Sequence, residues 1–454
     1  MAHDQQSGFT LAAMSLGYAV VQLDVTVVNT ALGSIGSSLG GGVSELQWVV
    51  TAYTIAFAAL ILTGGALGDR VGAKRIFIAG YSVFTVASVA CAAAPTPAIL
   101  IGSRALQGLG AAILVPNSLS LLNHAYTQEK DRNHAVAIWA AGASFALTAG
   151  PLVGGGLIAL FGWRSIFLIN LPIGLVGLWL TSRFAEETVS TPDRELDLLG
   201  QATAIGALGL LAAAMIEGGV AGWTDPLVLC GFAAAAALAI FFLFQERRAR
   251  QPMLPLDLFQ RPLFSLMSLV GLLVNIPFYG LIFVLSLYFQ QVNGLSPLAT
   301  GLAFLPMMGA VFMANLSAAR AARMFGGAAV ITSGALIVAA GCAALLGIAQ
   351  GARYAMIVVQ LLAIGGGLGL LVPPLTSTLL GSVEKKNSGL AAGVLNSARQ
   401  SGSVLGVALF GSLVGKAGTF ITGTRQALVI SALLLLAAAA VTLESARRHR
   451  DPRA

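Results

Sequence analysis

Apolar residues run through this chain in long stretches, and short polar segments between them carry most of the charged side chains. A helix needs about 20 mostly apolar residues to cross the hydrocarbon core of a bilayer. A window of that length predicts an all-α polytopic membrane protein with fourteen spans, at 9–31, 46–67, 75–94, 98–123, 134–160, 164–183, 197–216, 226–246, 263–290, 299–321, 327–349, 354–380, 388–414 and 425–443. The Gly- and Ala-rich spans have the weakest apolar pattern, which leaves open that the tenth span is short and that the thirteenth is tilted.

The composition agrees with this prediction. Hydrophobic residues make up 57% of the 454 residues and charged residues 9%, whereas a soluble domain has about 25% charged residues. Cys91, Cys230 and Cys342 lie apart without paired spacing, which favours small buried hydrophobes over a metal or redox site. The four His residues lack metal-ligand spacing, and no Gly-rich loop ends in Lys-Ser or Lys-Thr. We therefore expect no metal, no ATP and no other cofactor.

Basic residues between the spans fall mostly on one side of the membrane. If both termini are cytoplasmic, Arg164, Arg353, Lys416 and Arg425 lie in outer loops, and the other loop Lys and Arg residues lie inside. Cytoplasmic loops carry an excess of Lys and Arg, so the pattern predicts this orientation. The net charge of +7 then reflects topology and attraction to anionic lipid headgroups, and no nucleic acid partner is expected. The polar segment 1–8 lacks the features of a secretory signal.

Two charged residues lie well inside predicted spans, Asp24 in the first and Arg104 in the fourth. A charge at the bilayer centre costs roughly 3 kcal/mol or more, so each is by default a functional-site hypothesis. Burial disfavours a charged carboxylate and a nearby cation favours it. A balance between these effects lets Asp24 titrate near neutral pH, as proton coupling requires.

Arg104 stays charged, and we predict that it is the fixed partner of Asp24, directly or through water and Gln107. Gln107 lies one turn further along the same helical face. Two alternatives stay open. Asp24 is a packing residue hydrogen-bonded to Asn29 or Gln22, or Arg104 is a clamp that binds backbone carbonyl groups.

An internal repeat divides the chain into two related halves. Residues 108–116 match residues 365–373 without gaps at two Gly positions and at the Leu, Val and Pro positions. Repeats of this kind are found in transporters built from two related halves. Small residues also recur every four positions, a spacing that lets helix backbones approach closely. These rows are Gly142, Ala146, Gly150 and Gly154 in span 5, and Ala398, Gly402 and Gly406 in span 13.

The repeat predicts an N-terminal six-helix half at 1–190, an inserted hairpin of spans 7 and 8 at 191–250, and a C-terminal six-helix half at 251–454. Pro151, in the middle of span 5, removes one helical hydrogen bond and permits a bend. Arg104 aligns with Leu361, and the second half has no unpaired carboxylate within a span. The ion chemistry is therefore predicted in the first half.

Five segments carry recognisable motifs, at 23–32, 65–75, 104–110, 150–155 and 196–200 with 222–223. The segment 65–75 looks like the loop motif between spans 2 and 3 of the major facilitator superfamily. The other four resemble motifs of that superfamily's fourteen-span drug–proton antiporters: the first-span motif, the fourth-span proton-coupling motif, the fifth-span exporter motif and the inserted hairpin. The resemblance covers nearly the whole chain and implies a major facilitator fold with two six-helix halves plus the hairpin.

The resemblance implies a conformational latch in the loop motif, where Asp69 docks on a helix N-terminus of the other half in one conformation. The helix dipole favours an anion there, although a charged turn that serves only topology is the alternative. Two departures matter: the counterpart at 322–326 lacks the aspartate, and the short segment 416–424 argues against an adaptor partner. The latch residues are Gly65, Gly68, Asp69, Arg70, Gly72, Lys74 and Arg75.

A set of aromatic and polar residues within the spans is predicted to line a substrate cavity, with lipid-facing or packing roles as the alternative. For Arg399 the alternative is snorkelling towards the cytoplasmic face near Lys386, and Glu217 is interpreted as a surface carboxylate. The cavity candidates are Tyr18, Asn29, Gln107, Trp139, Phe145, Asn275, Phe278, Tyr279 and Arg399.

We therefore predict a proton-coupled exporter of lipophilic drugs or toxic compounds, cationic ones being one candidate class, in a bacterial plasma membrane. Its expected partners are the small-molecule substrate, protons and membrane lipid, and the chain is expected to act as a monomer. An exporter of one endogenous metabolite, lipid or antibiotic is the alternative. A polytopic membrane enzyme or sensor is a remote alternative, because the sequence carries no catalytic cluster and no soluble domain.

Overall fold

The computed structural model describes residues 2–190, 197–349, 353–384, 387–415 and 420–450. Within these ranges the chain forms fourteen long helices, and no strand occurs in them. The helices are α1 (Ala2–Leu39), α2 (Val43–Val71), α3 (Ala73–Ala93), α4 (Pro97–Ala125), α5 (Glu129–Phe161), α6 (Ser165–Leu168 continued by Asn170–Phe184), α7 (Leu198–Val220), α8 (Pro226–Arg248), α9 (Pro262–Leu287, ending in a π turn Tyr288–Val292), α10 (Pro297–Phe325), α11 (Gly327–Ala344), α12 (Val358–Gly381), α13 (Ser388–Val414) and α14 (Phe420–Arg450).

Thirteen of these helices are long and apolar enough to cross a membrane, counted over the described ranges. The exception is α13, which is 27 residues long but carries polar side chains near its middle, among them Asn396, Arg399 and Gln400. The tenth helix is full length at 29 residues. The all-α polytopic fold predicted from the sequence is confirmed.

Helix packing follows a repeated pattern. In helices α1–α6 the main neighbours are α1 with α5, α2 with α4, α3 with α4, and α1 with α6. Helices α9–α14 repeat these neighbours as α9 with α13, α10 with α12, α11 with α12, and α9 with α14. The two sets meet mainly where α2 packs on α13 and α5 packs on α10.

Small residues allow these helices to approach closely. Gly154 of α5 faces Val27 and Thr30 of α1, and Gly406 of α13 faces the Ile276 carbonyl of α9. A methyl group at Gly301 would collide with the Pro151 backbone, which fixes the contact between α5 and α10. Helix α5 continues through Pro151 without a break.

The remaining members of the α5 row differ in how tightly they pack. A methyl group at Gly142 would lie 4.0 Å from the Ser15 side chain, and Ala146 is buried. Gly150 faces the Thr26 hydroxyl, which donates to the Leu147 carbonyl at 3.1 Å. This end of the row therefore combines close packing with a hydrogen bond between α1 and α5.

The hairpin of α7 and α8 lies against both sets, because α7 packs on α2 and on α13. The Gln201 side chain of α7 donates to the Ala59 carbonyl of α2 at 2.9 Å, and Thr63 donates to Gln201. Among the described hydrogen bonds none joins α7 to α13, where Gly219 packs closely on Ser412. A cavity of about 580 Å³ lies between the hairpin and the α2–α13 surface.

Parts of several loop predictions lie outside the described residues. These are Arg194 of the linker before α7, Lys385 and Lys386 before α13, and Lys416 at the start of the segment predicted to be short.

Candidate functional site

Asp24 lies in the middle of α1 with none of its surface exposed. Its carboxylate forms an ion pair with the Arg104 guanidinium of α4. It also accepts hydrogen bonds from Gln107 Nε2 at 2.8 Å and from Asn170 Nδ2 of α6 at 3.2 Å. Helices α4 and α6 therefore supply three donors to one buried carboxylate, which compensates its charge in the apolar interior.

Arg104 has a second set of partners. Its Nε donates to the Val49 carbonyl of α2 at 3.1 Å, and its Nη1 donates to Gln107 Oε1 at 2.6 Å. The guanidinium lies over the Tyr53 ring, 4.3 Å from its centroid. Arg104 therefore forms an ion pair with Asp24 and also binds a backbone carbonyl group, so the two interpretations of this side chain are compatible.

Two partners of this cluster were missed in the sequence. Ser88 Oγ of α3 accepts from Gln107 at 2.9 Å and from Asn170 at 3.2 Å, and donates to the Phe84 carbonyl at 2.7 Å. Ser88 and Asn170 are ordinary polar residues of their helices, and the sequence alone gives no signal that places them beside Asp24. Asn29, one predicted partner of Asp24, instead donates to the Val25 carbonyl of its own helix at 3.0 Å.

Several cavity candidates lie together between the two sets of helices. The rings of Tyr18 and Trp139 stack with centroids 4.3 Å apart, and Trp139 Nε1 donates to Ser118 Oγ at 3.1 Å. The Arg399 stem of α13 passes beside Gly271 of α9, the helix that carries the buried Tyr279, and α9 packs on both α1 and α13. Residues of α1, α5, α9 and α13 therefore share one region.

Other candidates are placed differently. Asn275 donates to the Gly271 carbonyl of its own helix at 2.7 Å, and the Phe278 ring packs on Tyr279. Phe145 is 63% exposed and its ring contacts Phe312 of α10, with centroids 6.3 Å apart. Phe145 thus lies at the α5–α10 contact, apart from the Tyr18–Trp139 stack.

The loop motif is built around two close contacts and one glycine turn. Gly68 leaves room for the Asn117 side chain of α4, whose Nδ2 donates to the Gly64 carbonyl at 2.9 Å, and Gly65 faces Pro116. Gly72 joins α2 to α3 with φ +110°, a conformation that favours glycine. Asp69 and Arg70 are exposed at the end of α2.

Glu187, which follows α6, caps the first turn of α3. Its carboxylate accepts the Lys74 backbone N–H at 2.8 Å and the Arg75 backbone N–H at 3.2 Å. Thr188 Oγ1 accepts the Ala73 N–H at 2.8 Å. Since the first N–H groups of a helix lack internal partners and attract anions, Glu187 holds the loop motif against α6.

Replacing Glu187 by alanine is expected to lower the free energy of unfolding by about 0.5–2 kcal/mol, the usual loss for a helix cap. Thermal unfolding in detergent measures this change. Glu186→Ala is the matched control, because Glu186 accepts a hydrogen bond from Gln6 but none from α3. Equal losses in the two variants would contradict the capping role.

A cavity of about 450 Å³ opens at the end of the molecule where α2 meets α3. Its walls include Asp69 at the end of α2, Trp139 of α5, and Asn387 and Gly389 at the start of α13. Asp69 and the N-terminus of α13 therefore line the same cavity.

The opposite end of the molecule is closed. Gln47 of α2 donates to the Val407 carbonyl at 3.0 Å and to the Ala408 carbonyl at 2.7 Å. The Gly33 N–H of α1 donates to Gln290 Oε1 of α9 at 3.2 Å. The two sets of helices are thus hydrogen-bonded at one end and separated by a cavity at the other.

Within the described residues no group of three or more His, Cys, Asp or Glu side chains is placed to hold a metal ion. A family model for the Major Facilitator Superfamily matches residues 14–407. The chain belongs to the Major Facilitator Superfamily. The superfamily predicted from the motifs is confirmed, and this Major Facilitator protein is a multi-pass membrane transporter for small molecules rather than an enzyme.

Relatives of this Major Facilitator protein are resistance proteins. It is 37% identical over 408 residues to the methylenomycin A resistance protein of Streptomyces coelicolor, covering 90% of this chain and 86% of the relative. It is 37% identical over 435 residues to the methylenomycin A resistance protein of Bacillus subtilis, covering 95% and 93%. It is 35% identical over 405 residues to the multidrug resistance protein Stp of Mycobacterium tuberculosis, covering 89% and 75%.

Solved structures share the fold. A bacterial homologue of the lysosomal transporter Spinster, in an inward-facing and unoccupied conformation, matches with a TM-score of 0.67 at 18% identity, covering 97% of each chain. A structure from work on substrate recognition in proton-dependent oligopeptide transporters matches with a TM-score of 0.68 at 15% identity, covering 97% of this chain and 99% of the other.

Proposed function

We propose that this transporter is a proton-coupled exporter of lipophilic drugs or toxic compounds in a bacterial plasma membrane. The buried Asp24–Arg104 pair carries the proposal, because an ionisable carboxylate kept inside a membrane span with a fixed cationic partner is by default a functional-site hypothesis. Relatives named for resistance to methylenomycin A and to multiple drugs support export.

The proposed cycle is alternating access by two six-helix halves, 1–190 and 251–454, with the hairpin 191–250 beside them. We place both termini in the cytoplasm on the positive-inside pattern. The cavity at the α2–α3 end then faces the cytoplasm and the hydrogen-bonded end faces outward, so the described conformation is inward-facing. Substrate enters this cavity and leaves after the outer contacts of Gln47 and Gln290 break.

Asp24 is the proposed carrier of the proton. Protonation removes its charge and weakens its ion pair with Arg104, which stays charged. The guanidinium then relies on the Val49 carbonyl, the Gln107 side chain and the Tyr53 ring. These partners belong to α2 and α4, whereas Asp24 belongs to α1. A change in the charge of Asp24 would therefore alter how α1 packs against α2 and α4.

The loop motif is the proposed latch. Asp69 and the start of α13 line the same cavity from different helices. Closure of that cavity brings the Asp69 carboxylate towards a helix N-terminus, where the dipole favours an anion. The latch would thus stabilise the outward-facing state.

The proposal includes a monomer, with substrate, protons and membrane lipid as its partners. A narrower second candidate is export of one specific antibiotic or metabolite made by the cell. The two methylenomycin A resistance proteins favour it, since each is named for a single compound. Resistance profiling decides between them: a deletion strain sensitive to one secreted compound and to no dye, biocide or other drug supports the narrower function.

Proteoliposomes test proton coupling. With an imposed pH gradient, accumulation of a drug substrate on the acidic side is expected, and a protonophore should abolish it. Transport that ignores the gradient and the protonophore alike would overturn the coupling while leaving the superfamily assignment intact.

A further inference from the structure

Arg399 is a cation inside the transporter for which the described residues provide no salt bridge. It lies near the middle of α13, and its Nε is buried without a hydrogen-bond partner. Since α13 begins at Ser388 and rises 1.5 Å per residue, Arg399 is roughly 16 Å from that end, beyond the reach of a snorkelling side chain.

The charges in this region do not balance. Asp24 and Arg104 neutralise each other, and they leave the Arg399 charge uncompensated among the described membrane-embedded groups. An unpaired charge in an apolar interior is strongly unfavourable. An anionic ligand would supply the missing charge.

The surroundings of Arg399 fit a ligand. Asn396, one turn earlier on α13, lines the cavity that opens at the α2–α3 end. The Arg399 stem passes beside Gly271 of α9. Tyr18 of α1 stacks on Trp139, Tyr279 of α9 is buried, and α9 packs on both α1 and α13. Each tyrosine hydroxyl is a donor that an anion accepts.

We propose that Arg399, with Tyr18 and Tyr279, binds the carboxylate of a lipophilic organic acid, and that the stacked Tyr18–Trp139 pair covers its apolar body. This rests on the proposed export function and names its substrate class, which differs from the cationic compounds that were one candidate class in the sequence analysis. An Arg fork binds a carboxylate through two parallel hydrogen bonds. Aromatic rings supply apolar contact area beside it.

The test compares two probes that differ in charge, 2-naphthoate and its methyl ester, in equilibrium binding to the purified full-length protein. The wild type is expected to bind the carboxylate at least ~10-fold more tightly than the ester, a difference of about 1.4 kcal/mol. Arg399→Gln should lose this preference and keep its affinity for the ester. Arg320→Gln, at an exposed position on α10, is the matched control and should behave as wild type.

Two further variants guard against a folding defect. Tyr18→Phe and Tyr279→Phe keep the rings and the Arg399 charge, and each should reduce the preference for the carboxylate several-fold. A wild type that binds the ester or the cation (2-naphthylmethyl)trimethylammonium as tightly as 2-naphthoate would overturn the proposal. So would an Arg399→Gln protein that keeps the preference or loses both probes equally.

The proteoliposome assay separates this inference from the proposed function. Proton-driven export without preference for the carboxylate would refute the anion site and leave the exporter standing. Carboxylate binding through Arg399 without any response to the pH gradient would refute proton coupling and leave the anion site standing.

Discussion

Asp24→Asn is expected to abolish proton-driven export while leaving the protein folded in the membrane. Asparagine keeps the shape of the side chain and a carbonyl acceptor for Arg104, and it resembles the protonated state that Asp24 must visit in every cycle. It cannot release a proton. Proton release on addition of substrate, measured in detergent across pH, should therefore fall to background, and accumulation in proteoliposomes should fall to that of empty vesicles.

The control for Asp24 is Asp131→Asn, which changes an exposed carboxylate at the start of α5. It should retain both proton release and export. An Asp24→Asn protein that still releases protons and still exports against a gradient would show that another group carries the proton. The measurement of proton release across pH thus tests the coupling ion, the site and the transporter class together.

Arg104→Ala is expected to have the largest effect on stability in this chain. It leaves the Asp24 carboxylate without its ion partner, and breaking one partner of a buried pair costs about 3–5 kcal/mol. Arg104→Lys keeps the charge but not the planar fork that reaches Asp24, Gln107 and the Val49 carbonyl at once. Loss of one hydrogen bond to a charged group, about 1.5–3 kcal/mol, predicts transport reduced roughly 10-fold or more.

Thermal unfolding and proteoliposome export measure these two effects. Arg320→Ala and Arg320→Lys, at the exposed position on α10, should change neither quantity. A double variant with Asp24→Asn and Arg104→Gln removes both charges, so it should recover part of the stability lost in Arg104→Ala and none of the export. Full export by Arg104→Lys would contradict a role for the fork geometry.

The pattern of apolar stretches predicted the helices well because length and hydropathy are local properties of a membrane span. Arg104 and Asp24 were recognisable for the same reason, since a charge inside an apolar stretch stands out. Their contact and the link through Gln107 were proposed from sequence, and the structure places these three side chains together.

The rest of the site depends on contacts between distant segments. Ser88 and Asn170 are chemically ordinary residues, and only the packing of α3 and α6 around α4 brings them to Gln107 and Asp24. Glu187 gave no signal because it caps a helix more than a hundred residues earlier. The hydrogen-bond partner of Asn29 could not be predicted from the sequence either. A side-chain amide can donate to a carbonyl group of its own helix, as Asn29 does to Val25, as readily as to another helix.

The uneven anchoring of the α7–α8 hairpin has a mechanical consequence. It is hydrogen-bonded to α2 through Gln201. Its contact with α13 consists of apolar packing that includes Ile216 and the close approach of Gly219 to Ser412. In a rocking cycle we therefore expect the hairpin to move together with the first six-helix half and to slide over the second half. The cavity beneath it, about 580 Å³ in this state, would then change its volume once in every transport cycle, because its walls belong to elements that move relative to one another.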